Sequence, residues 1–404
     1  MSRTKLELAG PSPLITLNAP PKPKVKMNDV ITLASRSMDV MQQVRDAVLL
    51  PHPRKNPPRF TQSQFAEILG IEPSQIKTKQ KQLGKILGNV QEGDKKKTYS
   101  LSEFYEVNAL LGKSIAKPEG KKGKVITVAS YKGGVSKTTT AVTLAQGLTL
   151  RGFEKVLLVD IDSQGSASSL MGVSPELEVQ VEDTIMDYIF GDQPNLMSAV
   201  RETYWPNLDL IAASSALIES DYVFPAWIRD KKDFAFWAVL DQGLEPLRDI
   251  YDAIVIDTSP SLGYLTQNAM YAADGLICPC PQEALGFASL AQFFTVYTEL
   301  VKLFPKIKEV LEFDFVEVMI TKGKSDTDET AQTVKGWLKE AYGNHLSGIS
   351  IPDSVIPTKA ASVLSTVYEI NKTDAGAIQF TRYKDQVDAF VSHIAGEIIQ
   401  SWRK

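Results

Sequence analysis

Three groups of residues in this 404-residue sequence carry side chains at spacings that could do chemistry. The first is Tyr131-Lys132-Gly133-Gly134-Val135-Ser136-Lys137-Thr138-Thr139-Thr140, lying between the apolar run Val125 to Ser130 and an Ala/Leu-rich segment. A strand, a glycine loop and a helix start present free backbone amides and the positive end of a helix to an anion, as a phosphate requires. Gly133, Gly134, Val135, Ser136 and Thr139 are then the cradle. Lys137 holds the β- and γ-phosphates, and Thr138 offers its hydroxyl to Mg2+. The strict pattern G-x-x-x-x-G-K-[ST] does not match, because Tyr131 and Ser136 occupy its two glycine positions and an additional lysine, Lys132, precedes the glycines. The second group is Val156 to Asp160 followed by Ile161-Asp162-Ser163-Gln164, a strand ending in two carboxylates one residue apart. The third is Ala253 to Asp257 followed by Thr258-Ser259-Pro260. Carboxylates at the C-terminal ends of successive strands stand where open α/β sheets bind their ligands.

The departure from the strict pattern is itself informative. The loop resembles the deviant Walker A sequence, x-K-G-G-x-x-K-[ST], of the ParA/MinD family of ATPases. The resemblance implies that Lys132 reaches across a dimer interface to the partner's nucleotide, while Lys137 keeps the ordinary phosphate-loop role. Asp162 and Gln164 resemble the family's D-x-D-P-Q switch, with Ser163 in place of Pro, so Asp162 is expected to position or polarise the attacking water. Asp257 resembles the Walker B carboxylate, holding Mg2+ through a water, with Ser259-Pro260 as the second switch. Ile351-Pro352-Asp353 and Ala360 to Glu369 resemble the family's late strand and loop, which places Thr321 and Pro352 against the adenine. The likeness spans roughly residues 124–404 and implies ATP, ADP and Mg2+ as cofactors.

These motifs need a scaffold. After Lys124, short strands alternate with helical segments: Val125 to Ser130, a helix from Lys137 to Arg151, Val156 to Asp160, then strands at Leu208 to Ala212, Ala253 to Asp257, Gly275 to Pro279, Phe315 to Thr321 and Ile349 to Ile351. That alternation predicts an α/β fold with a mostly parallel, doubly wound sheet. Residues 1–27, with five prolines among lysines, read as a flexible arm. Over residues 28–50, Val30, Leu33, Ala34, Met38, Met41, Val44 and Val48 recur at helical spacing, predicting an amphipathic helix and possible dimerisation. Residues 51–112 read as a winged helix-turn-helix: Thr61 caps one helix, Gly70 ends it and a second begins near Pro73. The second helix would offer Ser74, Gln75, Lys77, Thr78, Lys79, Gln80 and Lys81 to DNA, with Lys95, Lys96 and Lys97 on the wing. Residues 113–123 read as a linker and residues 124–404 as the ATPase.

Composition points the same way. Residues 1–124 carry 22 Lys and Arg against 11 Asp and Glu, so this part is +11 while the remainder is −15 within an overall −4. A basic module's natural partner is a polyanion. Two cysteines, Cys278 and Cys280, supply neither a disulfide framework nor metal-ligand spacing, and His52, His345 and His393 sit in no catalytic arrangement. No uninterrupted apolar run has the length of a membrane helix, and a cytoplasmic protein is expected. The segment Lys384 to Trp402 is amphipathic yet carries Asp385, Asp388 and Glu397, so it reads as a packed helix rather than a membrane anchor.

A helix-turn-helix module ahead of the deviant loop resembles the large ParA proteins of plasmids and secondary chromosomes. What this implies is an ATP-bound dimer that coats nucleoid DNA, as dimers or as filaments, through basic residues such as Lys359, Arg382, Lys384, Arg403 and Lys404. It also implies a ParB-type partner that stimulates hydrolysis, and a specific operator bound by the N-terminal module. The competing readings are a nucleotide-sensing regulator that moves nothing and a MinD-like membrane-associated ATPase.

Overall fold

The computed structural model describes residues 26–48, 55–91, 96–231, 234–303, 311–371 and 376–404. The chain divides into two units between Ala47 and Val48. In the first, helix α1 (Met27–Val48) forms as its spacing predicts, with Val30, Leu33, Met41 and Val44 exposed. The expected arm, residues 1–27, lies almost wholly outside the described residues.

The second unit opens with strand β1 (Arg59–Thr61), helix α2 (Gln62–Leu69), helix α3 (Ile76–Leu83), strands β2 (Asn89–Val90) and β3 (Lys97–Ser100), and helix α4 (Leu101–Leu110). Thr61 caps α2 reciprocally with Gln64, and Gly70 closes it in the left-handed region at φ +60°. Pro73 to Gln75 form a 3-10 turn, not the start of α3, because Gln75 turns back to accept from the Glu72 amide. Strands β1 and β2 flank β3, both antiparallel, with Phe60 opposite Tyr99. Phe65 stacks on Tyr99 at 4.6 Å and meets Phe104 edge-on, filling the small core.

The larger sheet contains β4 (Lys124–Val128), β5 (Val156–Asp160), β6 (Arg201–Glu202), β7 (Leu208–Ile211), β8 (Ala253–Asp257), β9 (Gly275–Pro281), β10 (Phe315–Gly323) and β11 (Leu346–Pro352). Its order is β11-β10-β9-β4-β8-β5-β7-β6, parallel except for the edge strand β6. The chain passes from β4 through helix α5 (Lys137–Leu150) to β5, and β8 later inserts between them. This brings the carboxyl ends of β4, β5 and β8 together, with Asp160 and Val128 both in register with Asp257. Side chains alternate across the sheet: Leu158 and Val255 join the core under α5 and the C-terminal helix Ala377–Ser401, while Leu157, Val159, Ile254 and Ile256 join the opposite core. Pro279 and Pro281 are tolerated inside β9 because its pairing with β4 ends at Ile277, leaving their missing amides unneeded on that side.

Residues 113–123 are pinned to the sheet unit. Ile115 exchanges hydrogen bonds with Gly152 and Glu154, Lys117 donates to Asp252, and Gly123 donates to Arg248. The small N-terminal core and the layer under α5 form one connected apolar cluster, through Phe65 and Phe104 on one side and Val128, Phe380 and Ile394 on the other. Among the described residues one helix, Ala284–Leu303, is long and apolar enough to cross a membrane by length and composition. Gln292, Thr295, Thr298, Glu299 and Lys302 interrupt its apolar run.

Candidate functional site

Strand β4 delivers the chain into the loop before α5. Gly134 sits at φ +71° and Ser136, a non-glycine residue, at φ +76°, so the loop curls in the left-handed region immediately before the helix. Lys137, on the first turn of α5, is 7% exposed and its ammonium donates to the Lys132 carbonyl at 3.1 Å, closing the loop beneath it. The Lys132 side chain is half-buried, with its ammonium 4.0 Å from Glu283, which lines the adjoining cavity.

Behind the loop stand three buried carboxylates, and each has a different role. Asp160 is fully committed: it accepts from the Ser168 amide and hydroxyl, each at 2.8 Å, and from the Asp162 amide. Burial nevertheless pushes its pKa up to about 6. Asp162 is 8% exposed and accepts from the Gln164 amide at 3.0 Å, holding the start of the following turn. Asp257 is wholly buried, and neither carboxylate oxygen has a hydrogen-bond partner. Burial, followed by the charge of Asp160, drives its pKa well above the usual carboxylate range; Thr138 and Lys137 are the neighbours that oppose this. Burial lowers the pKa of Lys137, and the charges of Asp257 and Asp162 oppose the shift.

An orphaned buried carboxylate beside a hydroxyl and a loop of free amides calls for a cation held together with an anion. Hard oxygen donors of this kind suit Mg2+, which characteristically binds one or two carboxylates and takes its remaining ligands from phosphates and water. Among the described residues, no group of three His, Cys, Asp or Glu side chains could hold a metal unaided.

Next to the loop lies a cavity of about 850 Å3, lined by Gly134, Ser136, Thr139, Thr321, Pro352 and Asp353 together with Tyr383, Val387 and Phe390 of the C-terminal helix. Thr321 both lines it and braces the loop, donating to the Val135 carbonyl at 3.3 Å. The sequence reading missed the apolar wall from the C-terminal helix. Its signal was present in the spacing of Val387, Phe390 and Val391, which shows an apolar face but not what that face covers.

The DNA candidates are scattered. Lys77, Thr78 and Lys81 are exposed on α3 and Lys79 is half-buried, whereas Ser74 and Gln75 lie on the preceding turn. Gln80 accepts from the Leu87 amide and so serves its own module. Lys96 is exposed, Lys97 lies over the Tyr99 ring, and Lys95 falls outside the described residues. Arg382 and Arg403 are exposed, and Lys404 reaches Asp314. Lys384 is half-buried: its ammonium pairs with Asp388 and it lines a cleft against Phe60 and Glu67 of the N-terminal module. Cys278 and Cys280 are buried in β9.

Residues 123–311 match the model of an AAA domain. Protein SopA of Escherichia coli K12 is 29% identical over 79% of this chain and 82% of its own. The chromosome partitioning protein ParA of Myxococcus xanthus is 35% identical over 45% of this chain and 59% of its own. The chain is thus similar in sequence to partition ATPases of the ParA family. A solved partition protein shares its fold along 93% of this chain and 99% of that one, with a TM-score of 0.58 at 16% identity. The ATP complex of a Cyanothece McdA variant does so over 67% and 97%, with a TM-score of 0.54 at 21% identity. The small helix and strand module of residues 59–110 precedes the phosphate loop, an arrangement that resembles the large ParA proteins. A putative plasmid partition protein of Borrelia burgdorferi solved with AMPPNP is 26% identical over 67% of this chain and 100% of that one, with a TM-score of 0.52.

Proposed function

We propose that the chain is a DNA-segregation switch whose ATP-bound dimer binds DNA without sequence preference and is released when a ParB-type partner and DNA stimulate hydrolysis. The observation that carries this reading is the division of labour between two lysines on one loop. Lys137 is buried over the orphaned Asp257, while Lys132 is half-buried at the rim with its ammonium 4.0 Å from Glu283, a cavity-lining residue, where a second subunit's nucleotide could compete for it.

Mg2+ with ATP supplies the labile phosphoanhydride and the charge that neutralises it. The chain supplies the rest. Thr138 and Asp257 would hold the metal, Asp257 through a water. Lys137 and the amides of Gly133 to Thr139 would bind the phosphates. Asp162, fixed by the Gln164 amide, would orient the attacking water. Thr321 and Pro352, with Tyr383 and Phe390, would enclose the base. The protein would act in the cytoplasm on the nucleoid, and α3 would separately read an operator, repressing the partition genes. Packing of the C-terminal helix through Phe380, Val387, Phe390 and Ile394 supports this over a MinD-like anchor.

Hydrolysis and DNA binding under ATP, ADP and no nucleotide test the reading. Weak turnover raised by nonspecific duplex, ATP-promoted binding, and loss of both in Lys137→Ala are expected. Site-specific binding indifferent to nucleotide would overturn it in favour of a regulator.

A further inference from the structure

Lys55, at the entry to the N-terminal module, is a charged residue buried in the body of the ATPase. Its side chain is 9% exposed. The ammonium donates to the Leu364 carbonyl at 2.6 Å, the Tyr204 hydroxyl at 3.1 Å and the Leu170 carbonyl at 3.2 Å, and pairs with Glu369 at 2.6 Å. Surface solvation alone would never place a lysine here, since a buried charge is retained only where partners replace its water.

The partners lie on segments that run on from the nucleotide site. Leu170 ends the short helix Ser166–Leu170 that follows Asp162, and Ser168 of that helix is bonded to Asp160. Two residues on, Gly172 sits at φ +80°, and a Cβ there would lie 3.3 Å from the Lys55 stem. Leu364 follows the segment Pro357 to Ser362, which lines the cavity, and is itself a non-glycine residue at φ +50°. Glu369 accepts from Tyr204 at 2.7 Å, and the Thr366 hydroxyl reaches Gln146, on the helix that begins at Lys137, at 2.6 Å. Gln146 in turn donates to Tyr204.

We infer that Lys55 is a positioning residue that couples the nucleotide site to the N-terminal module: it senses the switch loop, the cavity wall and the phosphate-loop helix at once and transmits their rearrangement to the chain entering β1. The inference rests on the nucleotide reading above. A hydrogen-bonded socket joined to the switch helix, the cavity segment and the phosphate-loop helix has discrete arrangements rather than a continuum, which is what a transmitting element requires.

Amide hydrogen exchange on the full chain, with Mg-ATPγS, with Mg-ADP and without nucleotide, tests it. Wild type is compared with the paired variant Lys55→Met with Glu369→Gln, which removes both charges and leaves neither unpaired. In wild type, nucleotide should slow exchange at residues 133–140 and also change it across 59–110. In the paired variant the first response should persist and the second should be lost. A module response equal to wild type, or no module response in wild type, overturns the coupling. Loss of the 133–140 response in the variant alone shows that the pair only maintains the site, which also overturns it. Absence of that response in wild type defeats the nucleotide reading itself, and the coupling falls with it.

Discussion

Both carboxylate oxygens of Asp257 are buried without a hydrogen-bond partner, so its charge is tolerated only through Lys137 and Thr138 until a cation arrives. Asp257→Asn removes that charge at almost constant volume. Without nucleotide the variant should be more stable than wild type at pH 8, because the buried charge is gone although the group stays polar. It should also lose the stabilisation that Mg-nucleotide confers, about 2.7 kcal/mol for wild type at a hundredfold excess over Kd. Denaturant unfolding with and without Mg-ATPγS measures both effects, and a variant still stabilised by the ligand would remove Asp257 from the metal site. Asp160, one strand away and equally buried, should not behave so. Its oxygens already hold Ser168 and Asp162, and Asp160→Asn should destabilise the chain by about 1–3 kcal/mol. Residue type and position alone do not separate these two aspartates, since each closes an apolar strand; only the resemblance singles out Asp257. Only the register that sets β8 between β4 and β5 shows which of them faces Thr138.

At the scale of elements, the phosphate-loop helix α5 is clamped against the C-terminal helix. A Cβ at Gly147 would lie 2.8 Å from both Val391 methyls and 2.9 Å from the Tyr368 hydroxyl. Gly147→Ala should therefore cost about 1–3 kcal/mol by overpacking. Adding Val391→Ala should recover most of it, because the two sites share one contact. The basic elements divide in the same manner. Lys77→Ala and Lys81→Ala, both exposed on α3, should each weaken DNA binding and lower the salt slope by about one. Lys384→Ala should leave DNA binding unchanged and cost about 0.3–0.5 kcal/mol, the scale of its pairing with Asp388 one turn away. Helical periodicity placed these lysines on helices from the sequence alone. Which of them face water was decided by what each helix packs against.

For the whole molecule, the decisive question is what Lys132 does, since its ammonium stands at the cavity rim beside Glu283. Lys132→Ala should retain Mg-ATP binding as a single subunit and lose the ATP-dependent dimer, a separation that sedimentation with a fluorescent nucleotide resolves. A variant that still dimerises would return Lys132 to the status of a surface residue. The phosphate loop, the two carboxylate-ended strands and the doubly wound sheet were legible in the linear sequence because each is a local pattern: free amides before a helix, apolar strands, charges at strand ends. The capping of α2 by Thr61 and Gly70 was legible for the same reason. Long-range choices were not. The chain order does not say that β8 enters beside β4, that the C-terminal helix walls the nucleotide cavity, or that Lys55 is buried against Glu369. Such contacts join residues up to hundreds of positions apart, and their energy exists only once burial has removed the competing water. Local chemistry is therefore written along the chain, while partnership among its parts is settled by packing.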